Sequence, residues 1–543
     1  MQENMTMLKN LVAGIKWFCS ARYRRYMIFR GYRLLFQRGQ SDLVQKCKHQ
    51  VSLVETGVTH DTASPDIFFA SRPDADLVIR QFLSKRTGEK SMCISVYNAI
   101  GGGVPIHHLP PHTYSLLREL GIPVWAFGSR IRWMLGLLVY WLYGCWIFVK
   151  LGFPVADKNS ETNAGLSAFF QDLPLNALPD RETPFERQDL VSWYCRWDKR
   201  NPLIRTVTHQ HKNRVNTVVN GISLEYHAAG WSGYMSSSAR IKYLLWGLRV
   251  GFMSLVDLLS GRWWHALLFS QAVMAKRLAL SSEETLPAEI WFNHENYKYR
   301  PIWTYEAEAR GVKSYLYFYS INNQTVQPAG HEISISGYWH LMNWPRCLVW
   351  NSQQKEILQQ YINMETAYVQ AGHMPYSDTN EELTPLSSPA IAVFDIPSYG
   401  NETSFALGQA YKYQKDHVVE AFYDDIIDAA RANELVVCTK QKTGRKKSHL
   451  TARYLHLLEK LEQSPDVCAT EAGIAAHRLI MATQMTVSAP YSSTSVIAEA
   501  LGKPGCYYDP TGLLPEMTIF SHGIRIIRSP EALSDWMKKN RPQ

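Results

Sequence analysis

The sequence lacks several patterns by which binding chemistry is most easily recognised. Its nine cysteines include no CxxC pair, and their odd, scattered arrangement indicates a reducing compartment without structural zinc. No GxGxxG motif is present, so the usual dinucleotide fingerprint is missing. The first residues contain no apolar stretch that leads into a small-residue cleavage site, and we expect no signal peptide. The sequence therefore predicts no metal and no cofactor.

The composition is that of a globular protein with many large aromatic residues. A chain of 543 residues accommodates about two or three domains with a sizeable core. Apolar residues make up 46% and charged residues 19% of the sequence. The 17 tryptophans and 29 tyrosines suggest carbohydrate contacts or a membrane interface, although such rings are more often part of the core.

Positive charge is concentrated at the N-terminus. Residues 1–40 contain eight Lys or Arg residues and one acidic residue, Glu3, while the whole chain has a net charge of +9. Aromatic residues alternate with these basic residues, as in segments that lie on anionic lipid. We predict that residues 1–50 form a basic amphipathic segment that contacts an anionic membrane surface. No nucleic-acid-binding module follows, so no nucleic-acid partner is expected.

Two further stretches are strongly apolar. The first, Trp133–Val149, has no charged residue and is slightly shorter than the roughly 20 residues that a comfortable membrane span needs. It therefore predicts either a span or a helix lying in the membrane plane. The second, Tyr243–Lys276, is interrupted by charges and is typical of an amphipathic or buried helix.

Strand and helix patterns alternate over much of the chain, which predicts an α/β fold with parallel sheets. Examples are a predicted strand at Lys313–Phe318 and a predicted helix at Ser352–Tyr361. We expect an N-terminal α/β domain at residues 51–378, with a helical insertion at about 130–285, and a C-terminal α/β domain at residues 379–543. A polar, proline-containing stretch, NEELTPLSS, marks the boundary between them.

The most informative segment runs from Thr486 to Pro510. An apolar strand breaks at Pro490, and four hydroxyl residues then lead into a short helix. Hydroxyls at a helix N-terminus, where backbone N–H groups carry a partial positive charge, can bind a phosphate. We predict this role for Ser492, Ser493, Thr494 and Ser495. Ordinary capping of the helix by Ser493 or Thr494 is the alternative.

This segment resembles the C-terminal domain of GT-B glycosyltransferases of bacterial surface polysaccharide synthesis. It is similar to the group named for a PFTS motif, whose place is taken here by Pro490-Tyr491-Ser492-Ser493. The resemblance extends to Lys440 and Lys442 at the end of a strand, to Glu499 in the following helix, and to the GKP and YYDP sequences. The His-Pro pair of related enzymes is replaced by Lys440-Gln441-Lys442.

The resemblance implies a fold and a substrate class. The fold would be two Rossmann-like domains, and the donor would be a nucleotide sugar, a CMP-activated nonulosonic acid or Kdo. Lys440, Lys442 and Glu499 would then contact the donor, together with the hydroxyl loop. Cationic side chains and helix-end N–H groups can stabilise a departing phosphate without a metal.

The acceptor side is predicted at Phe292–Arg300, which follows a strand in the first half of the chain. A carboxylate or imidazole at such a position can take the proton from an acceptor hydroxyl. We predict that Glu295 is the general base and that His294 orients or assists it. Capping of the next helix is the simpler alternative for both residues.

Taken together, these patterns predict a metal-independent glycosyltransferase at the cytoplasmic face of the inner membrane, bound peripherally or monotopically. It would move a sugar from a nucleotide-sugar donor to a lipid-linked glycan acceptor of a surface polysaccharide. Two alternatives remain open within enzymes, a CDP-polyol phosphotransferase and a nucleotide-sugar epimerase. A non-catalytic scaffold of a polysaccharide assembly complex is the alternative from another class.

Overall fold

The structure is a computed structural model of the chain. It describes residues 118–119, 125–153, 166–179, 188–212, 217–227, 234–260, 264–295, 297, 300–321, 342–362, 365–379, 381–383, 385–386, 388–398, 415–441 and 450–541. The chain divides into two compact units. The first comprises Met1–Tyr143, Gly251–Phe269 and Tyr399–Tyr411, and the second comprises Gly144–Val250, Ser270–Ser398 and Lys412–Gln543.

The described residues form helices and strands in the alternation expected of an α/β protein. The helices are α1 (Ala126–Gly152), α2 (Leu190–Arg196), α3 (Ser237–Leu259), α4 (Trp264–Leu280), α5 (Trp303–Ala309), α6 (Ser352–Tyr361), α7 (Asp416–Ala432), α8 (Ala452–Glu462), α9 (Ala476–Ala482), α10 (Ser493–Ala500) and α11 (Pro530–Asn540). The strands are β1 (Ser167–Phe170), β2 (Thr206–His209), β3 (Thr217–Val219), β4 (Ile222–Tyr226), β5 (Glu289–Asn293), β6 (Lys313–Tyr317), β7 (Arg346–Val349), β8 (Ala367–Gln370), β9 (Ala390–Phe394), β10 (Val436–Lys440), β11 (Val467–Thr470), β12 (Met485–Ser488), β13 (Gly505–Tyr508) and β14 (Ile526–Ile527).

The first sheet has eight strands in the order β3-β4-β2-β1-β5-β6-β7-β8. All neighbours in it are parallel except β3 and β4, which form an antiparallel hairpin. Without the hairpin strand β3, the remaining strands follow the 3-2-1-4-5-6 order of a doubly wound fold, with one strand added at the end. The strand order reverses between β1 and β5.

The second sheet has six parallel strands in the order β11-β10-β9-β12-β13-β14. This is again the 3-2-1-4-5-6 order, and the reversal lies between β9 and β12. Two parallel α/β sheets thus occur in one chain, and the predicted fold class is confirmed. Both sheets belong to the second compact unit.

The predicted helical insertion at about 130–285 is not confirmed in that form. Three long helices, α1, α3 and α4, do lie there, but so do the four strands β1–β4 of the first sheet. These strands contain three to five residues each, so tertiary pairing rather than a long sequence pattern defines them. The domain boundary at 378/379 stays a prediction. The predicted membrane-contact segment, residues 1–50, lies outside the described residues.

Burial of large apolar side chains positions both sheets. In the first sheet, the Trp291 ring is almost completely buried and stacks on Phe170 and Tyr315, with ring centroids 5.3 Å and 5.0 Å away. In the second sheet, Ile391 and Val487 of the two central strands are fully buried in a cluster that α7, α8 and α11 also supply. Strands buried on both faces are characteristic of parallel sheets covered by helices.

Helices α1 and α3 pack against each other and run in opposite directions. In the first unit, the Trp141 indole N–H donates to the backbone oxygen of Gly251, at 3.0 Å. In the second unit, the ring centroids of Phe148 and Tyr243 are 5.2 Å apart. Among the described residues, α1 alone is long and apolar enough to cross a membrane, judged by length and composition.

Candidate functional site

The hydroxyl-rich segment lies at the point where the second sheet reverses its strand order. Strand β12 ends at Ser488, a loop follows, and α10 begins at Ser493 before the chain returns as β13. The predicted sequence of strand, loop, helix and strand is therefore present. In open α/β sheets, ligands bind at the carboxyl ends of the strands beside such a reversal.

The backbone in this loop adopts an uncommon conformation. Tyr491 has a φ angle of +62°, which residues other than glycine rarely adopt. Its ring is buried, and burial raises the pKa of its hydroxyl. The Tyr507 hydroxyl donates to the Ser492 backbone oxygen at 2.9 Å and so fixes the end of the loop. Backbone strain of this kind concentrates at ligand-binding sites.

The N-terminus of α10 is not capped in the ordinary way. Ser492 occupies the N-cap position, but its side chain accepts no hydrogen bond from the helix backbone. Its hydroxyl instead lies 3.2 Å from the hydroxyl of Thr494. By contrast, Ser529 caps α11 by accepting from the Ala532 amide. Ser493 and Thr494, the residues that the capping alternative names, lie within the first turn of α10 rather than at its N-cap, and the first-turn N–H groups receive no bond from the Ser492 side chain.

Ser493 joins the two sheets. Its Oγ atom accepts a hydrogen bond from the backbone amide of Ile321 at 3.1 Å, and Ile321 follows strand β6 of the first sheet. A serine hydroxyl has one proton to donate and two lone pairs, so the residue type suits contact with a phosphate oxygen. Ser493 is half-buried, as are Ser492 and Thr494.

Ser495 has a different position from the other three hydroxyl residues. Its side chain is fully buried and donates to the backbone oxygen of Cys506 at 2.7 Å. The Ser488 hydroxyl lies 2.5 Å from it. These bonds fasten α10 to β12 and β13, so the structure uses Ser495 inside the fold. The Ser495 hydroxyl is therefore not at the loop surface, and its predicted contact with the donor stays a prediction.

The remaining predicted donor contacts are placed unequally. Lys440 on β10 and Ser488 on β12 lie on the two strands that flank β9, and both are aligned with its end at Phe394. Two strand spacings, about 10 Å, separate Lys440 from Ser488. Glu499 is exposed near the end of α10, about 9 Å along the helix axis from Ser493. Lys442 lies outside the described residues. The donor roles of Lys440, Lys442 and Glu499 stay predictions.

The predicted acceptor site lies at the corresponding point of the first sheet. Asp172 follows β1 and Glu295 follows β5, the two strands between which the order reverses. Asp172 also has a positive φ angle, +52°, and accepts a hydrogen bond from the Tyr297 hydroxyl. Two exposed carboxylates are therefore held at one edge of this sheet.

Glu295 is set among tyrosine side chains. The Tyr319 hydroxyl is hydrogen-bonded to the Glu295 carboxylate, and burial together with this carboxylate raises the pKa of Tyr319. The Tyr376 ring centroid lies 5.0 Å from that of Tyr319. Burial raises the pKa of Tyr376, and the charges of Glu295 and Asp172 add to the effect. Aromatic rings with a few convergent polar groups are typical of a binding site for an organic ligand.

His294 lies beneath this surface rather than on it. Its ring is buried and stacks on Phe318, with centroids 4.7 Å apart, and it lies 5.0 Å from the Tyr319 ring. The backbone amide of His294 donates to the Tyr317 oxygen at 3.0 Å. The imidazole therefore packs against the strand end that carries Tyr319. Its assisting role stays a prediction.

A short segment connects the two candidate sites. Tyr319 contacts Glu295, and Ile321, two residues further on, bonds to Ser493. Two residues of extended chain span at most about 7 Å. The structure thus connects the predicted base and the predicted phosphate loop through three residues, although 198 positions separate Glu295 from Ser493 in the sequence.

Buried histidines lie at other contacts between the two sheets. His522 Nδ1 is 3.1 Å from Asn351 Oδ1, and burial lowers the pKa of His522 to about 4. The ring centroids of His373 and His477 are 6.1 Å apart, and burial, with His477 nearby, lowers the pKa of His373 to about 3. These two imidazoles are therefore neutral at pH 7. No group of three or more His, Cys, Asp or Glu side chains in the described part of the chain is arranged to hold a metal.

Sequence reasoning did not find Asp172, Tyr319 and Tyr376. Asp172 follows a four-residue strand, SAFF, inside the region interpreted as a helical insertion. Tyr319 follows β6, a strand that the sequence does predict, so the carboxyl end of that strand was the available signal. Tyr376 lies in the connection between the sheets, where no local pattern marks it.

A family model described as "Polysaccharide biosynthesis PFTS motif protein" matches residues 246–537, which is more than half of the chain. Glu295, Lys440 and the hydroxyl residues lie within the match, and Asp172 lies outside it. The comparison with curated proteins gives no match.

Among solved structures, the chain is similar to TarM, with 7% identity and a TM-score of 0.30 over 50% of this chain. It spans about half, 52%, of the TarM chain. It is also similar to the glycotransferase of kitacinnamycin, with 10% identity, a TM-score of 0.30, and coverage of 69% of this chain and 94% of that one. For the Phytolacca americana UGT2 complexed with UDP-2fluoro-glucose and pterostilbene, identity is 9%, the TM-score is 0.25, and coverage is 61% and 75%. Likeness at this level does not establish a common function.

Proposed function

The chain belongs to the family of PFTS-motif polysaccharide biosynthesis proteins, and we propose that it is a glycosyltransferase that takes its sugar from a nucleotide donor. The observation that carries the proposal is the pair of strand-order reversals. One presents hydroxyls at a helix N-terminus, the other presents carboxylates among tyrosines, and the segment Tyr319–Ile321 contacts both. Glycosyl transfer by direct displacement uses both kinds of chemistry, a base for the acceptor hydroxyl and stabilisation of charge on the leaving phosphate.

The proposed reaction assigns one role to each side. The bond between the anomeric carbon of the sugar, which is C2 in a nonulosonic acid or Kdo, and the donor phosphate oxygen breaks, and its electron pair stays on the phosphate. The N-terminus of α10, with Ser492, Ser493 and Thr494, stabilises that negative charge. Lys440 adds a positive charge from β10, and Lys442 is proposed to do the same. Glu499 is proposed to contact the nucleotide.

On the other side, an acceptor hydroxyl forms the new bond to the same anomeric carbon and gives its proton to Glu295. A carboxylate has about four lone-pair sites, so Glu295 can accept from Tyr319 and from a substrate hydroxyl at the same time. His294 supports the strand end from which Tyr319 projects. In this proposal no metal takes part.

The finer identity of the substrates is part of the proposal. The donor is a CMP-activated nonulosonic acid or Kdo, and the acceptor is a lipid-linked glycan of a surface polysaccharide. The PFTS-like residues Pro490–Ser493 support this choice. The enzyme would work at the cytoplasmic face of the inner membrane, where the basic residues 1–50 contact anionic lipid.

A thermal-shift panel with CMP, CDP, UDP and GDP tests the donor site. We expect CMP to raise the melting temperature most, because a ligand that binds only the folded state stabilises it. The control is Ser529→Ala, which removes a capping hydroxyl from a different helix, α11. Equal responses to all four nucleotides would contradict the choice of CMP, and no response to any of them would contradict the donor site.

A further inference from the structure

Helices α1 and α3 expose apolar side chains in a regular stripe along each helix. On α1 the stripe recurs every three or four residues, at Ile131, Leu135, Leu138, Leu142, Trp146 and Val149. Such spacing places side chains on one side of a helix. The opposite side of α1, which includes Trp133, Leu137 and Leu151, is buried in the protein.

The stripe on α3 has the same character. Its members are Ile241, Leu245, Leu248, Phe252, Val256 and Leu259, and Leu245 and Phe252 are 65% and 68% exposed. Tyr243, Val250 and Leu258 on the other side are buried. Most of the large hydrophobic side chains that are exposed in the described residues belong to these two helices.

The two stripes lie on the same side of the helix pair. On α1, Trp141 contacts α3, and the exposed Leu142 lies one residue, roughly 100°, further round the helix. On α3, Gly247 lies against the Phe148 ring so closely that no Cβ fits, and the exposed Leu248 again lies roughly 100° further round. Because the helices run antiparallel, equal rotations in the same sense bring both stripes to one side of the pair.

Basic side chains border this face. Three exposed basic residues are Lys150 on α1 and Lys242 and Arg249 on α3. By helical geometry, each lies on the side of its helix that faces away from the other helix, next to the apolar stripe. Helix α1 contains no acidic residue. The one acidic residue of α3, Asp257, lies 2.6 Å from His265 Nδ1. An apolar face with basic edges is complementary to apolar lipid chains and to anionic headgroups.

We propose that the face formed by α1 and α3 docks in the plane of an anionic lipid bilayer, with both helices lying along its surface. A helix of this kind is buried by about 5–10 Å at the boundary of headgroups and acyl chains. Arg249, midway along α3, is then at headgroup depth, whereas a spanning helix would place it in hydrocarbon. A second copy of the chain is a poorer occupant, because an isologous contact would bring the basic edges of two copies together.

The proposal is independent of the glycosyl transfer proposed above, since it uses none of the residues assigned to the reaction. The proposed contact of residues 1–50 with lipid rests on their basic charge, whereas docking of the α1–α3 face also rests on burial of apolar side chains. Screening by salt therefore separates the two contributions. At about 1 M NaCl, exposed charges farther apart than roughly 3 Å are largely screened.

The experiment is co-sedimentation of the full chain with vesicles of phosphatidylcholine and phosphatidylglycerol at low and high salt. We expect the wild-type chain to remain bound at high salt. The double variant Leu245→Glu with Leu248→Glu should lose at least about tenfold in partitioning, because it removes two large apolar side chains from the face. A second variant, Leu245→Asn with Leu248→Asn, removes the apolar area without adding charge and should also weaken binding.

The matched control is Leu203→Glu, which changes a leucine that is 60% exposed but lies away from the two helices, and it should bind like the wild type. Melting temperatures and nucleotide responses of all variants verify folding and donor binding independently. Loss of all binding at high salt, or unchanged binding of the Leu245→Glu, Leu248→Glu variant, would overturn the proposal. So would an oligomer that this variant converts to monomer while vesicle binding stays the same.

Discussion

Both sheets reverse their strand order at one point, and the side chains at the two points differ in kind. In the first sheet the loops after β1 and β5 carry the carboxylates Asp172 and Glu295. In the second sheet the loop after β12 carries hydroxyls and leads into α10, whose N-cap side chain accepts no hydrogen bond from the helix backbone. Each loop set includes a residue other than glycine with a positive φ angle, Asp172 in one and Tyr491 in the other.

The difference shows how one topology supports two chemistries. The strand order determines only where a binding site can lie, because parallel strands end together at one edge of each sheet. Carboxylates at that place can accept protons, while hydroxyls and helix N–H groups can stabilise negative charge. The following substitutions test whether the two points have these separate roles.

The largest effect is expected from Glu295→Gln. The substitution retains the volume of the side chain but removes the charge that makes it a proton acceptor. Turnover should fall by about 100- to 10,000-fold, while donor affinity stays unchanged. Single-turnover rates with donor bound measure this effect. A variant within about threefold of the wild type would remove Glu295 from the reaction, and a large loss in Asp172→Asn instead would transfer the role to Asp172.

The double variant Ser493→Ala with Thr494→Ala should affect the other side. Hydrogen bonds to charged groups contribute about 1.5–3 kcal/mol each, so nucleotide affinity should fall by roughly 10- to 150-fold for each of the two hydroxyls that contacts the phosphate. Calorimetric titration with the nucleotide gives the affinity, and Ser529→Ala is the control for loss of a helix-terminal hydroxyl. Unchanged affinity in a folded double variant contradicts the phosphate role of this loop.

Ser495→Ala sharpens the comparison within the hydroxyl loop itself. Because Ser495 is buried and bonds to Cys506 and Ser488, its removal leaves polar groups without partners. The free energy of unfolding should fall by about 1–3 kcal/mol, with little change in nucleotide affinity. Urea unfolding monitored by circular dichroism measures the first quantity. The opposite pattern, full stability with weakened nucleotide binding, would return Ser495 to the donor site.

The smallest effect is expected from Tyr319→Phe, which keeps the ring and removes the hydroxyl that is bonded to Glu295. Loss of one hydrogen bond worth about 0.5–1.5 kcal/mol should lower kcat/KM for the acceptor by roughly 2- to 12-fold. Tyr376→Phe, in the neighbouring ring, is the comparison variant. Equal kinetics for wild type and Tyr319→Phe would show that this hydroxyl does not help to position the base.

Local patterns predicted much of the second sheet. The apolar run before Pro490 and the glycine after the helix define β12 and α10 to within a few residues, since each end carries its own signal. Helix α6 begins and ends where the sequence predicts, at Ser352 and Tyr361. Its N-cap, Asn351, accepts from the Gln354 amide at 2.9 Å.

The first four strands could not be predicted in the same way. Strands of three to five residues carry too little periodicity to stand out beside long apolar helices. One signal was present and overlooked: Asn220 and Gly221, both with positive φ, form the turn of the β3–β4 hairpin. The partnership of Tyr319 with Glu295 depends on neighbouring strands in the sheet, which no local sequence pattern encodes.

The three-residue segment Tyr319–Ile321 has a thermodynamic consequence. It contacts Glu295 at one end and Ser493 at the other, so a change in its conformation alters the surroundings of both residues. Linkage then requires reciprocity. The factor by which a bound donor changes the affinity for the acceptor must equal the factor by which a bound acceptor changes the affinity for the donor. A single ratio, measured from either side, therefore describes the communication between the two loops.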